Sequence, residues 1–115
     1  MPSPVVHFEI IGENQKLLEG FYKDVFAWQI MPVMEGYSLV AKEEGGIAGG
    51  IGAMGAQHRR VTFYVSVPDV EAALVLIESK GGEKAFGPHT VPDGSIVAGF
   101  TDPEGNLIGL VKPPK

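Results

Sequence analysis

Hydrophobic and polar residues alternate near the N-terminus, a pattern typical of a β-strand with one face in the core. Val6, Phe8 and Ile10 fall on the hydrophobic face of this strand. His7 and Glu9 fall on the opposite face. The alternation therefore predicts that these two polar side chains point away from the packed side of the strand.

A helix is predicted directly after this strand. Asn14 is a suitable N-cap residue, because its side chain can accept a hydrogen bond from the first helical turn. The following hydrophobic residues recur with the period of a helix and form one stripe, made of Leu17, Leu18, Phe21, Tyr22, Val25 and Phe26. Three strands are predicted next, near residues 29–33, 37–42 and 47–52. The first half of the chain is thus a βαβββ unit.

The second half of the chain repeats this order. His7 and Thr62 hold equivalent positions, 55 residues apart. A strand at 61–67 precedes a predicted helix with one hydrophobic face, made of Ala72, Ala73, Leu76 and Ile77. Three further strands are predicted, the first beginning at 85–86 and the others near 95–101 and 107–111. A repeat of this length indicates that one unit buries its hydrophobic face by packing on a copy of itself.

These patterns predict an α+β fold built from two tandem βαβββ modules, about 5–52 and 61–112, with a linker at 53–60. We expect the modules to form a cupped eight-stranded mixed sheet with the helices on its outer face. With 115 residues, 44% of them hydrophobic, the chain suits a single domain spanning 1–115.

Composition narrows the possible partners. Lys and Arg number 9 against 14 Asp and Glu, giving a formal charge of −5, which argues against nucleic acid or an anionic membrane as a partner. The 0 Cys exclude a disulfide framework, a cysteine metal site and a thiol nucleophile. No hydrophobic stretch is long enough to predict a membrane span. We therefore expect a soluble, cytoplasmic protein.

One surface of the predicted sheet carries the candidate chemistry. If the first strand of each repeat turns its polar side to the same face of the sheet, this concave face holds five polar residues: His7, Glu9, Thr62, Tyr64 and Ser66. A cleft lined by a few polar groups and several glycines suits a small molecule. His58 and His89 fall in predicted loops, where a solvated histidine is expected.

Several segments together resemble the vicinal oxygen chelate superfamily, which includes glyoxalase I, bleomycin-resistance proteins and extradiol dioxygenases. They are residues 7–10, 21–22, 26–28, 67–70 and 102–106, which read HFEI, FY, FAW, VPDV and DPEGN. The resemblance covers nearly the whole chain. It implies eight strands in a cupped sheet, often completed by a homodimer.

The resemblance also implies four metal-ligand positions, on the first, fourth, fifth and eighth strands. His7 matches the first. Gly50, Thr62 and Gly109 stand at the other three, Thr62 seven residues before Asp69 and Gly109 seven residues after Asp102. A divalent ion needs three or four N, O or S donors, and glycine side chains offer none. We therefore predict that the family's metal site is lost and that no cofactor is required.

The favoured function is metal-independent binding of a small molecule by a homodimer, with Gly50 and Gly109 leaving volume that ligand side chains would otherwise fill. The predicted binding residues are His7, Glu9, Gly50, Thr62, Tyr64, Ser66 and Gly109. The alternative is a lyase or isomerase of glyoxalase type that uses His7 and Glu9, through a rebuilt metal site or through metal-free acid/base chemistry. A third possibility is a module whose cleft is vestigial.

Overall fold

The computed structural model describes residues 2–114. The described chain repeats the order βαβββ, with eight strands and two α-helices, and this confirms the predicted α+β class. The elements are β1 (Val5–Gly12), α1 (Gln15–Phe26), β2 (Ile30–Met34), β3 (Tyr37–Val40), β4 (Ala48–Ala53), a 3-10 helix (Ala56–His58), β5 (Arg60–Ser66), α2 (Val70–Ser79), β6 (Glu83–Thr90), β7 (Ile96–Thr101) and β8 (Leu107–Lys112). Neither helix within residues 2–114 has the length and hydrophobicity needed to cross a bilayer.

The chain forms two compact units. One spans His7–Thr62, and its strands lie in the order β2-β3-β4-β1, with β1 parallel to β4 and the other pairs antiparallel. The other joins the N-terminal segment through Val6 to the segment from Phe63 onward, in the order β5-β8-β7-β6, with β5 parallel to β8. The same strand order in both units reflects the repeat in the sequence.

Local sequence signals set the ends of α1. Asn14 caps the helix as predicted, since its Oδ1 accepts a hydrogen bond of 2.9 Å from the Leu17 N–H. At the other end, Ala27 adopts a left-handed conformation with φ of 59°, which costs a non-glycine residue roughly 1–2 kcal/mol. This turn brings the Trp28 ring against the Tyr22 ring, with centroids 5.0 Å apart and planes 9° apart.

Polar contacts hold α1 to its sheet. Ser38 on β3 is fully buried, and its Oγ accepts a hydrogen bond of 2.7 Å from Gln15 Nε2 and donates one to Glu19. Gln15 Oε1 in turn accepts from the Gly36 N–H at 2.9 Å. Because buried polar groups need partners, these bonds fix the rotation of α1 about its axis.

The predicted stripe of α1 is therefore only partly correct. Four of its six residues are more than half exposed, namely Leu17, Phe21, Val25 and Phe26. Leu18 and Tyr22 are half-buried, and they share the sheet-facing stripe with Gln15 and Glu19. The predicted period is correct, but the hydrogen bonds of Gln15 and Glu19 to Ser38 turn the packed face by about one position.

The packed face of helix α2 is also turned by about one position from the predicted face. Val70 and Leu74 are buried in the core of their unit, and Ala73 and Ile77 pack against it. Leu76, which was predicted on the packed face, is 61% exposed. The rest of this core is Val67, Ala98 and Leu110, with Val65, Ile96 and Phe100 against it.

The leading strands also depart from the prediction that one of their faces is fully covered. Val61 and Phe63 are 76% and 39% exposed. Helix α2 packs against β6, β7 and β8 of its unit.

Leu74 and Leu76 allow a matched test of this packing. We expect Leu74→Ala to lower the free energy of unfolding by about 2–5 kcal/mol, because it empties a closed site in the core. Leu76→Ala, the same change two residues along the same helix, should alter it by less than about 0.5 kcal/mol. Urea unfolding of both variants measures the difference, and equal losses would contradict the packing described here.

Candidate functional site

The first strand presents His7 and Glu9 on one face, as predicted. Between them, Phe8 points to the other face, where its ring covers Gly49 and packs against Trp28 at 5.3 Å between centroids. Leu18 of α1 lies against Gly12 on this same side of β1. His7 and Glu9 therefore lie on the side of the strand away from α1.

The Tyr37 hydroxyl links these two side chains. Tyr37 Oη donates a hydrogen bond to Glu9 Oε2 at 3.0 Å, and His7 Nε2 lies 3.2 Å from the same Oη. Because the hydroxyl has one proton and directs it to Glu9, its oxygen accepts the second bond from the His7 Nε2–H. The three groups form a continuous chain of hydrogen bonds, which we call the polar chain.

Gly50 makes room for this arrangement. It is the register partner of Glu9 in the parallel pair of β1 and β4. A Cβ atom at Gly50 would overlap the Tyr37 phenol. The interpretation that Gly50 leaves space for a ligand is therefore wrong, because a side chain of the protein itself already occupies this volume.

Gly109 has the same relation to Tyr64 in the other unit. The two residues are register partners in the pair of β5 and β8, and a Cβ at Gly109 would overlap the Tyr64 ring. The volume over Gly109 is thus also filled by a tyrosine. Ser66, two residues further along β5, is half-buried and pairs with Val111.

Arg60 extends the polar chain within the unit that spans residues 7–62. Its Nη2 lies 3.9 Å from Glu9 Oε1 and 3.8 Å from Met54 Sδ. Thr62, two residues later on the same face of β5, is 7% exposed. The structure therefore places Tyr37 and Arg60, which the sequence analysis missed, beside His7, Glu9 and Gly50.

Burial controls the charge of His7. Desolvation lowers the pKa of His7 below its usual value near 6.5, and the negative charge of Glu9 opposes this shift only in part. At neutral pH the imidazole is therefore uncharged, which agrees with a single Nε2–H donated to Tyr37.

The four family positions do not fit a divalent metal. His7 offers one nitrogen and Thr62 one hydroxyl, whereas Gly50 and Gly109 offer no side-chain donor and are covered by tyrosine rings. Across the described residues, no cluster of three or more His, Cys, Asp or Glu has a geometry suited to a metal. The donor set of this face is that of a hydrogen-bonding site.

A cavity lies in the unit that contains α2. Its volume is about 490 Å³, and it opens beside the start of α2, between Asp69, His89 and Lys112. None of the predicted site residues lines it. Asp69 caps α2 by accepting a hydrogen bond of 3.0 Å from the Ala72 N–H. His58 and His89 are both exposed as predicted, but neither lies in a loop: His58 ends the 3-10 helix, and His89 lies in β6 and pairs with Val97.

The sequence matches the family described as the Glyoxalase/Bleomycin resistance protein/Dioxygenase superfamily over residues 5–110. The chain therefore belongs to this superfamily, and the resemblance seen in the sequence is confirmed. No curated protein matches the sequence significantly.

Solved structures share this fold at low sequence identity. A variant of Streptomyces coelicolor methylmalonyl-CoA epimerase in complex with 2-nitronate-propionyl-CoA has a TM-score of 0.69 and 17% identity, with 100% of both chains covered. Methylmalonyl-CoA epimerase from Mycobacterium tuberculosis has a TM-score of 0.68 and 19% identity over 96% of this chain and 88% of that one. A hypothetical protein from Bacillus halodurans C-125 has a TM-score of 0.74 and 13% identity over 100% and 97%. Identities this low establish the fold alone.

The lowered pKa of His7 predicts both a titration and a pH dependence of stability. By NMR, the His7 imidazole should titrate below a histidine in an unstructured peptide, and Glu9→Gln should lower the pKa further by removing the opposing charge. The unfolded chain takes up this proton at higher pH than the folded chain does. Stability should therefore fall as the pH drops from about 6.5 through the folded pKa, and His7→Asn should reduce this loss. A His7 pKa above the peptide value would contradict the burial argument.

Proposed function

We propose that this protein binds a small molecule at the face formed by His7, Glu9 and Tyr37, without the divalent metal of its superfamily. The observation that carries the proposal is the position of the Tyr37 hydroxyl, hydrogen-bonded to both His7 and Glu9 over Gly50. Three polar groups held by one another are preorganised to bind a ligand, because little side-chain freedom remains to be lost. The superfamily and its CoA-derivative complexes support a small molecule as the ligand.

The donor set supports the proposal that no metal is required. A rebuilt site on this face would have His7 and Glu9 as its main ligands, and both are already hydrogen-bonded to Tyr37. A metal would have to break those bonds and recruit further donors. We therefore propose that no metal cofactor is used, and that the protein works in the cytoplasm, which its 0 Cys favour.

A second candidate function is metal-free acid/base catalysis. The polar chain joins the His7 imidazole to the Glu9 carboxylate through one hydroxyl, so a proton gained at one end can be balanced by a transfer at the other. Several solved structures of this fold are named methylmalonyl-CoA epimerases, and epimerisation at a carbon next to a carbonyl can proceed by removal and return of a proton. A carbon acid next to a carbonyl is therefore the first substrate class to test.

We also propose a homodimer, supported by exposed hydrophobic residues on α1. Leu17, Phe21 and Val25 follow one another at successive turns and are 69%, 56% and 53% exposed. Covering such a stripe with a second copy would remove it from water.

Ligand binding can be tested with a fragment library and ligand-observed NMR, in buffer containing EDTA. Fragments that bind the wild-type protein should lose about tenfold or more in affinity in Tyr37→Phe, because this change removes the hydroxyl that joins the polar chain. Glu104→Gln, on an exposed turn outside the site, is the matched control and should bind normally.

Two outcomes would contradict the binding proposal. One is binding that needs added metal and disappears in EDTA; the other is binding unchanged in Tyr37→Phe.

Fragments with an acidic C–H should then be incubated in D₂O. Exchange that is lost in Glu9→Gln would favour the catalytic alternative over simple binding.

Sedimentation at micromolar concentration tests the dimer. We expect twice the mass of a single chain for the wild type and a shift to the monomer in Phe21→Glu, because a charge in a buried hydrophobic interface is costly. A monomeric wild-type protein would refute this part of the proposal.

A further inference from the structure

Arg60 is held unusually weakly for a half-buried cation. Its side chain is 23% exposed. Its Nη2 is 3.9 Å from Glu9 Oε1, beyond hydrogen-bond distance, and its other contact is with Met54 Sδ at 3.8 Å. Its Nε is buried and has no hydrogen-bond partner in the part of the chain that the structure describes.

The charge of Arg60 is thus balanced by Glu9, while its Nε–H has no hydrogen-bond acceptor among the described residues. Glu9 compensates the positive charge but directs Oε2 to Tyr37. A buried N–H without an acceptor is energetically unfavourable. Such a donor in a polar site calls for an acceptor that the chain itself does not supply.

The distances show that the guanidinium is held by weak contacts. A reorientation of Arg60 would break a sulfur contact and a long ion pair, both weaker than a hydrogen bond to oxygen. Adjacent Arg59 differs in this respect. It is exposed and donates a hydrogen bond of 3.1 Å to Glu13 Oε2.

We propose that Arg60 binds a carboxylate group of the small-molecule ligand, donating from Nε and one terminal nitrogen. This inference rests on the proposed function and names its ligand class. The planar fork of a guanidinium matches the two oxygens of a carboxylate. Glu9, 3.9 Å from Nη2, opposes negative charge here, so a singly charged carboxylate is favoured over a doubly charged phosphate. Tyr37 and His7 then face the remainder of the ligand.

The test compares matched acids and amides at low ionic strength. Benzoate, phenylacetate and succinate are titrated by NMR against their amides, with phenyl phosphate as a further arm. We expect the acids to bind the wild-type protein more tightly than the amides and the phosphate. Arg60→Gln should weaken acid binding about tenfold or more and should weaken amide binding much less. Arg59→Gln removes the same charge one residue away and should leave the acids within about twofold of wild type.

Each other outcome counts against the inference. Equal acid binding by the wild type and Arg60→Gln would overturn it, as would a preference for amides or for phenyl phosphate. If Arg60→Gln does not fold, Arg60→Lys keeps the charge but not the fork, and undiminished acid binding there would also overturn it. If acids and amides both bind, and Tyr37→Phe changes the affinity of neither, the proposed function would be overturned instead. Failure of every compound to bind would count against both.

Discussion

The phenol of Tyr37 over Gly50 is the constraint on which the site depends. The parallel pairing of β1 and β4 places Gly50 beside Glu9, and the missing side chain at position 50 admits the tyrosine ring. Its hydroxyl then lies within hydrogen-bond distance of His7 and Glu9. Without a glycine at this point the ring would be displaced, and the half-buried His7 and the buried Glu9 would lose their common partner. Backbone register, one glycine and one tyrosine thus determine the chemistry of this face.

Short-range features of the fold were predictable from the sequence. The caps at Asn14 and Asp69 depend on contacts within one turn, and the alternation around Phe8 depends on strand geometry alone. The packed faces of both helices were harder to predict. In α1 the sequence offers a continuous hydrophobic stripe, but Gln15 and Glu19 bond to the buried Ser38 on β3 and turn the helix. Hydrophobicity indicates the period of a helix, whereas specific polar partners decide its rotation.

In the candidate site too, some residues were predictable from the sequence and others were not. His7 and Glu9 were predictable because they share one strand, and Arg60 could have been found by extending the alternation of Thr62 back by two residues. Tyr37 was not predictable in this manner. It comes 28 residues after Glu9, and their contact depends on the register of β3 on β4 and of β4 on β1. A single sequence contains no local signal for a register across two strand pairs.

The glycines at two family ligand positions now have a different meaning. Read from the sequence alone, Gly50 and Gly109 suggest that ligand side chains were deleted and a cavity was left. In the structure each glycine lies beneath a tyrosine ring, Tyr37 in one unit and Tyr64 in the other. A metal ligand restored at Gly50 would collide with the Tyr37 phenol before it could reach an ion. A side chain at position 50 and the Tyr37 ring in its present place therefore exclude each other. On this face a hydrogen-bonded phenol occupies the volume that such a side chain would need.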